Sequence, residues 1–127
     1  MLKRLVCFLF AGVIWLGCHD KKVVKTEALE SAFKGLIPAK GSQSTSPENA
    51  MIAAYVEQAS AAIKTNDYFG ANMILQDLRA QPNLTFEQSM AVQDTMASVQ
   101  LNLVTRAEAG DVAAQQALQA MKMRRRR

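Results

Sequence analysis

Hydrophobic and polar positions follow two different patterns along the chain. Residues 5–17 carry no charged side chain and are almost wholly apolar. From residue 47 to residue 121, apolar side chains instead recur at intervals of three and four, which places them on one face of a helix. The first pattern predicts an apolar segment without a polar face, and the second predicts a series of amphipathic helices.

Capping residues mark where the first of these helices begin and end. Ser46-Pro47-Glu48 combines a capping serine, a proline at the first helical position and an acid in the first turn. Asn66-Asp67 breaks that helix, and Asp67 can cap a second one. A shorter helix is predicted over residues 27–34, with Thr26 as its cap.

The next helix is the longest, and its pattern predicts a central position. Thr85 and Gln88 form a capping box at its start, and it runs to about Glu108. At about 100° per residue its apolar side chains form two sectors, which together predict burial on two sides. The first sector holds Phe86, Met90, Ala97, Leu101 and Val104, and the second holds Val92, Met96, Val99 and Leu103. Gly110-Asp111 then leads into a last helix that ends near Met121.

These elements predict an all-α fold. No turn-bounded alternating run rich in Val, Ile and Thr indicates a strand. Short connections favour antiparallel neighbours, so we expect a small bundle of helical hairpins. The stretch GLIPAKGSQSTSP before the bundle has the composition of a flexible tether.

The apolar run near the N-terminus has the features of a targeting signal. It follows Lys3-Arg4 and contains thirteen residues, whereas a membrane-spanning helix needs about 20. A basic start, a short apolar middle and small residues at its end are typical of a secretory signal peptide. The alternative is a buried first helix of the domain.

The run ends in Leu16-Gly17-Cys18, which resembles the lipobox of bacterial lipoproteins. The resemblance implies that the Cys18 thiol accepts a diacylglycerol group and that cleavage before it makes Cys18 the new N-terminus. A thiolate suits this role because it is a better nucleophile than a hydroxyl near neutral pH. The alternative is a signal that is cleaved or retained without lipid.

The two cysteines predict neither a disulfide nor a metal site. Cys7 and Cys18 are eleven residues apart, roughly 16 Å on one helix, and a disulfide needs Cα atoms within about 7 Å. Cys18-His19 offers two adjacent ligands, whereas structural zinc takes four with separated spacing. We therefore expect no metal.

Charge divides the chain into an acidic body between two basic ends. Residues 26–121 hold ten acidic and five basic side chains, although the whole chain has a net charge of +4. The tail is expected to be extended and solvated. The basic ends could dock on anionic lipid headgroups, and the alternative is that the tail serves solubility alone. No nucleic acid is expected, because no aromatic residue is interleaved to stack on bases. The candidate residues for this anionic surface are Lys21, Lys22, Lys25, Arg124, Arg125, Arg126 and Arg127.

These features divide the sequence into four predicted parts. Residues 1–17 form the signal, and residues 18–46 form the lipidated neck, the short helix and the tether. Residues 47–121 form the helical domain, and residues 122–127 form the basic tail.

Residues 62–78, AIKTNDYFGANMILQDL, resemble the middle of a tetratricopeptide repeat. The resemblance rests on Ala62 late in the first helix, the Asn66-Asp67 turn, Tyr68 after it, and Ala71 three residues further on. The stretch AGDVAAQQALQAM echoes this pattern 44 residues later, with a shift of one position after the aspartate. Full arrays repeat at about 34 residues and stack at least three deep, so the resemblance implies a tetratricopeptide-like fold only.

The sequence offers little catalytic chemistry. It has no Gly-rich phosphate loop, no His-Glu-x-x-His motif and no paired cysteines, and its single histidine has no apparent acid or serine partner. We therefore expect no enzymatic activity and no cofactor, and a small hydrolase is the least favoured function.

The predicted function is that of an exported, lipid-anchored module of the bacterial cell envelope that binds a protein partner. Flexible methionines and aromatic residues could line a groove for a partner helix, although the favoured alternative for the methionines is that they fill gaps in an Ala-rich core. The alternative function is binding of anionic lipid or an envelope polymer through the basic ends. A second copy of the chain is another candidate partner. The groove residues would be Tyr55, Tyr68, Met73, Met90 and Met96.

The lipobox resemblance makes a prediction about the mature protein. In a bacterial host that processes lipoproteins, the purified chain should begin at Cys18 and carry the added mass of lipid. Intact mass spectrometry measures this, with Cys18→Ser as the control that loses both changes. A chain that still begins at Met1 would contradict the prediction.

Overall fold

The computed structural model describes residues 24–36 and 46–126, which form helices without a strand. The five helices are α1 (Glu27–Ala32), α2 (Pro47–Lys64), α3 (Tyr68–Arg79), α4 (Phe86–Glu108) and α5 (Val112–Arg125). The all-α class is therefore confirmed. The predicted signal, Cys18, Lys21, Lys22, residues 37–45 of the tether, and Arg127 lie outside the described residues.

The helix starts follow from the capping residues. The Ser46 hydroxyl accepts a hydrogen bond from the Asn49 N–H at 3.3 Å, and the Asp67 carboxylate accepts one from Gly70 at 2.9 Å. Thr85 and Gln88 form the complete capping box, with both reciprocal hydrogen bonds present. Since each cap satisfies N–H groups that have no partner within the helix, these starts are fixed locally.

Two helix ends differ from the prediction. α1 ends at Ala32, two residues early, and Thr26 makes no side-chain capping bond. α5 continues through Lys122 to Arg125, so the basic tail expected to be extended is largely helical. Cations in the last turn of a helix interact favourably with the carbonyl end of its dipole, which offsets their mutual repulsion.

The α2–α3 and α4–α5 turns are built in the same way, 44 residues apart. Asn66 and Gly110 have φ angles of 62° and 92°, the left-handed conformation that closes a Schellman motif. The aspartate that follows each of them caps the next helix. In the first turn, the N–H groups of Asn66 and Asp67 donate to the carbonyl oxygens of Ile63 and Ala62. In the second turn, the N–H groups of Gly110 and Asp111 donate to those of Ala107 and Arg106.

The helices pack around one hydrophobic core. α3 packs against α2 and α4, while α4 also contacts α5 and α1. Leu29 of α1 and the adjacent Phe33 are fully buried in the same core as residues from all the longer helices. The packed part of the chain therefore includes α1 as well as residues 47–121.

The prediction that α4 is buried on two sides is wrong. Val92, Met96, Val99 and Leu103 are buried, but the other apolar sector is exposed. α4 is central in that three helices contact it. These neighbours cover only one half of its circumference, because they all pack against the buried sector and its flanks.

A polar cluster joins the two hairpin turns. The Arg106 guanidinium lies 2.6 Å from the Asp111 carboxylate and 5.5 Å from the centre of the Tyr68 ring, a cation–π arrangement. The Tyr68 hydroxyl donates to Asn66 Oδ1 at 3.0 Å. One arginine therefore bridges the start of α3 and the start of α5.

Hydrogen bonds and cations stabilise two carboxylates of the fold. The Ala114 N–H, followed by the Arg106 guanidinium, holds the pKa of Asp111 below its ordinary value of 3.8. A hydrogen bond from Lys64, at 3.0 Å, likewise lowers the pKa of Glu30 from 4.5. This second pair ties α1 to the end of α2.

These pKa shifts predict a loss of stability in acid. A carboxylate with a lowered folded-state pKa stabilises the fold above its unfolded-state pKa, and this contribution disappears as the pH falls through the folded-state value. The melting temperature should therefore fall between about pH 5 and pH 2. Asp111→Asn should flatten this pH dependence, since asparagine still caps a helix but does not titrate.

The matched control is Glu57→Gln, which removes an exposed carboxylate of α2 that has no ion pair within the described residues. Melting curves recorded by circular dichroism at each pH measure the effect. A pH dependence that Asp111→Asn leaves as steep as in the parent chain would contradict the assignment.

Candidate interaction surface

The exposed sector of α4 forms an apolar stripe, called here the α4 stripe. At about 100° per residue its members lie within about 60° of one another, along some 27 Å of helix. The exposed fractions are 82% for Phe86, 41% for Met90, 53% for Leu101 and 38% for Val104, and Ala97 is also exposed. Single exposed apolar residues are common, but a contiguous strip with polar borders is typical of an interaction site.

One border of the α4 stripe is acidic. Glu87 and Asp94 are exposed and lie roughly 50–70° around the helix from the centre of the stripe. Glu108, exposed at the C-terminal end of the same helix, lies beyond Val104 in line with the stripe and not at its side. Glu87 and Asp94 are called here the acidic edge.

The opposite border is an open groove with cationic walls. The part beside the middle of α4 has a volume of about 440 Å³ and is lined by α4 residues together with Arg79 of α3 and Arg125 of α5. An adjoining part of about 420 Å³ adds Lys122 and Arg126. Within the described residues, none of these four cations lies within ion-pair distance of a carboxylate. They are called here the basic edge.

The floor of the groove contains an amide pair. Gln100 Nε2 donates to Asn72 Oδ1 at 3.1 Å, and Gln100 borders both parts of the groove. Asn72 is fully buried between α3 and α4, and within the described residues its Nδ2 has no hydrogen-bond partner. The bond holds Gln100 at the base of the groove and leaves one buried donor unsatisfied, a cost to stability.

The five residues predicted to line a partner groove do not come together in one. Tyr68 and Met96 are buried, Tyr55 and Met73 are half-buried, and Met90 belongs to the α4 stripe. Met96 alone of the five lines the groove beside α4. Met73 instead contacts Arg124, with 2.7 Å between its Sδ and the guanidinium. Tyr68 and Met96 therefore belong to the core and Tyr55 packs against it, whereas Met73 and Met90 lie outside the core cluster.

The predicted basic residues are only partly grouped by the fold. Arg124, Arg125 and Arg126 are exposed at the end of α5, and Lys25 is exposed just before α1. The sequence did not indicate Arg79, which joins the tail arginines because α3 ends beside α5. The sequence feature that could have indicated the groove is the spacing of seven residues between Gln93 and Gln100, because it places both glutamines on one side of α4.

Within residues 24–36 and 46–126, no helix is both long and apolar enough to cross a membrane, and no group of three or more His, Cys, Asp or Glu side chains could hold a metal ion. Comparisons of the chain with models of protein families, with curated proteins and with solved structures found no match. The surface of α4 is therefore interpreted from its own chemistry.

The exposure of the α4 stripe predicts a contrast between two leucines. Leu75→Ala removes a fully buried side chain and should lower the free energy of unfolding by about 2–5 kcal/mol. Leu101→Ala makes the same chemical change at the stripe and should cost less than about 0.5 kcal/mol in dilute solution. Urea unfolding of both variants measures the difference. Equal losses would mean that the stripe is covered within the monomer.

Proposed function

We propose that this protein is a lipid-anchored module of the bacterial cell envelope that binds another protein through the α4 stripe. The observation that carries the proposal is the stripe itself, four large apolar side chains and an alanine exposed along one helix. Contact with a partner would remove this apolar surface from water, which is the main favourable term in most protein association.

The composition of the stripe fits a protein partner. Phe86 and Met90 are residue types enriched at the centre of protein interfaces, and charged residues are confined to the borders. A rigid helix supports all five side chains, so little conformational entropy is lost when they are covered. A partner helix laid along the stripe would match its length of about 27 Å.

The architecture supports a tetratricopeptide-like interpretation of the two hairpins. Their turns share one geometry at a spacing of 44 residues, and Ala71 is fully buried where α3 packs on α2. Small residues at such positions allow two helices to approach closely. Helical hairpins of this kind present extended surfaces to other proteins.

The proposed location rests on the sequence Leu16-Gly17-Cys18 and the apolar run before it. Lipid at Cys18 would hold the helical domain beside a membrane, reversibly with one acyl chain and firmly with two or more. The residues between Cys18 and α1 would set how far the α4 stripe can reach.

A second candidate function is binding of anionic lipid or an envelope polymer. The observation that favours it is the basic edge, where Arg79, Lys122, Arg125 and Arg126 meet without a carboxylate partner in the described structure. Lys21, Lys22, Lys25, Arg124 and Arg127 would add to this attraction. Such binding would weaken with salt, because exposed charges are screened over about 10 Å at 0.1 M ionic strength.

Photocrosslinking in the native host tests the first function. A photoreactive phenylalanine analogue in place of Phe86 should give a discrete protein adduct, whereas the same group in place of Gln119, an exposed residue of α5, should not. Equal labelling from both positions, or from neither, would contradict binding through the stripe. Mass spectrometry identifies the adduct.

Vesicle binding tests the second function. Attachment of the Cys18→Ser chain, which lacks the proposed anchor, to vesicles containing anionic lipid should be lost when Arg124, Arg125 and Arg126 are replaced by glutamine and when salt is raised. Attachment that is indifferent to both changes would exclude it. The lipidated chain is compared with Cys18→Ser, so that attachment through the anchor is distinguished from attachment through charge.

A further inference from the structure

We infer that the α4 stripe docks a second copy of this chain, with the two α4 helices parallel and face to face. The inference rests on the proposed function, since it names the partner of the same surface. It is carried by the arrangement of charge on the two sides of the stripe, which matches a copy of itself.

The two borders of the stripe carry opposite charge. The acidic edge holds Glu87 and Asp94, and the basic edge holds Arg79 and Arg125. A two-fold axis along the α4 direction exchanges left and right, so the acidic edge of each copy faces the basic edge of the other. The same contact forms twice, which doubles the electrostatic complementarity.

The charges also match in height along the helix. Arg79 and Arg125 line the groove beside Gln93, Ala97 and Gln100. Asp94 belongs to the same turns of α4, and parallel copies in register bring equal heights together. Each Asp94 would therefore face the Arg79 and Arg125 guanidinium groups of the other copy.

An antiparallel arrangement lacks this match. In that arrangement the two-fold axis lies in the interface, perpendicular to α4, and rotation about it does not exchange the acidic side of the stripe with the basic side. The two acidic edges would then face each other, and so would the two basic edges. Like charges placed opposite one another disfavour such a complex, so charge selects the parallel dimer.

One row of apolar positions fits the seam of such a pair. In a heptad repeat of parallel helices, one seam row would hold Phe86, Gln93 and Gln100, and the other would hold Met90, Ala97 and Val104, which are also spaced by seven residues. Phe86 and Leu101 flank this second row. Ala97 lies at its middle, where a small side chain lets the two helices approach closely.

The size of the seam sets the expected strength. A strip about 27 Å long and roughly 10 Å wide covers some 300 Å² per copy, less than the roughly 800 Å² of a standard interface. We therefore expect reversible association of the isolated chain. Anchoring on a membrane would strengthen it, because confinement raises the effective concentration.

Charge-swap variants of the full chain test the inference. Sedimentation equilibrium in a mild detergent should show the parent chain passing from one to two copies per particle as its concentration rises from about 1 to about 500 μM. Asp94→Lys and Arg125→Glu alter exposed side chains and should each weaken association at least tenfold. Mixing the two variants should restore it, since the introduced lysine of one copy then faces the introduced glutamate of the other, and the unchanged pair also forms.

The controls separate the alternatives. Glu57→Lys, an equal charge change on α2, should leave association unchanged, and circular dichroism checks that every variant keeps its helices. If neither Asp94→Lys nor Arg125→Glu weakens association, another part of the chain forms the contact and the inference is wrong. If Asp94→Lys binds the parent chain more tightly than the parent chain binds itself, the helices are antiparallel and the inference is also wrong.

Failure of this inference differs from failure of the proposed function. A parent chain that stays monomeric throughout the concentration range refutes the dimer. If the Phe86 photocrosslink then joins a different protein, binding through the stripe still holds. An adduct with twice the mass of the chain supports both.

Discussion

The main constraint on this structure is that the helices around α4 bury only one side of it. A domain of this size has too few helices to surround one of them, because small chains bury a smaller fraction of their surface than large ones. α1, α3 and α5 all contact α4, yet Phe86 and Leu101 stay more than half exposed. The candidate partner surface is therefore the part of a wide apolar helix that the other described helices leave uncovered.

Local signals explain why most helix boundaries could be predicted from the sequence. Ser46, Asp67 and Asp111 each cap a helix whose first N–H groups lie two or three residues away, and Thr85 does so with its capping-box partner. Such caps need no tertiary contact. The end of α5 does not follow from repulsion among its arginines alone, because the helix dipole favours cations in the last turn.

The candidate site was only half predictable, because periodicity shows which residues share a sector but not whether another helix covers them. The sequence shows both apolar sectors of α4, but only the packing of the other helices determines that one sector is buried and the other is exposed. Arg79 and Arg125, 46 positions apart in the chain, border one groove through the placement of α3 beside α5. The Tyr68–Arg106 and Asn72–Gln100 contacts likewise join distant positions, and no spacing rule indicates them.

Oxidation of two methionines on α4 tests the exposure of the stripe most directly. Met90 belongs to the stripe, and Met96 is buried with only 7% of its surface exposed. In dilute solution, peroxide should convert Met90 to the sulfoxide several-fold faster than Met96, as peptide mass spectrometry would show. In the native host, the proposed partner would cover the stripe and should protect Met90 from oxidation. Equal oxidation of the two residues in the dilute chain would contradict the account.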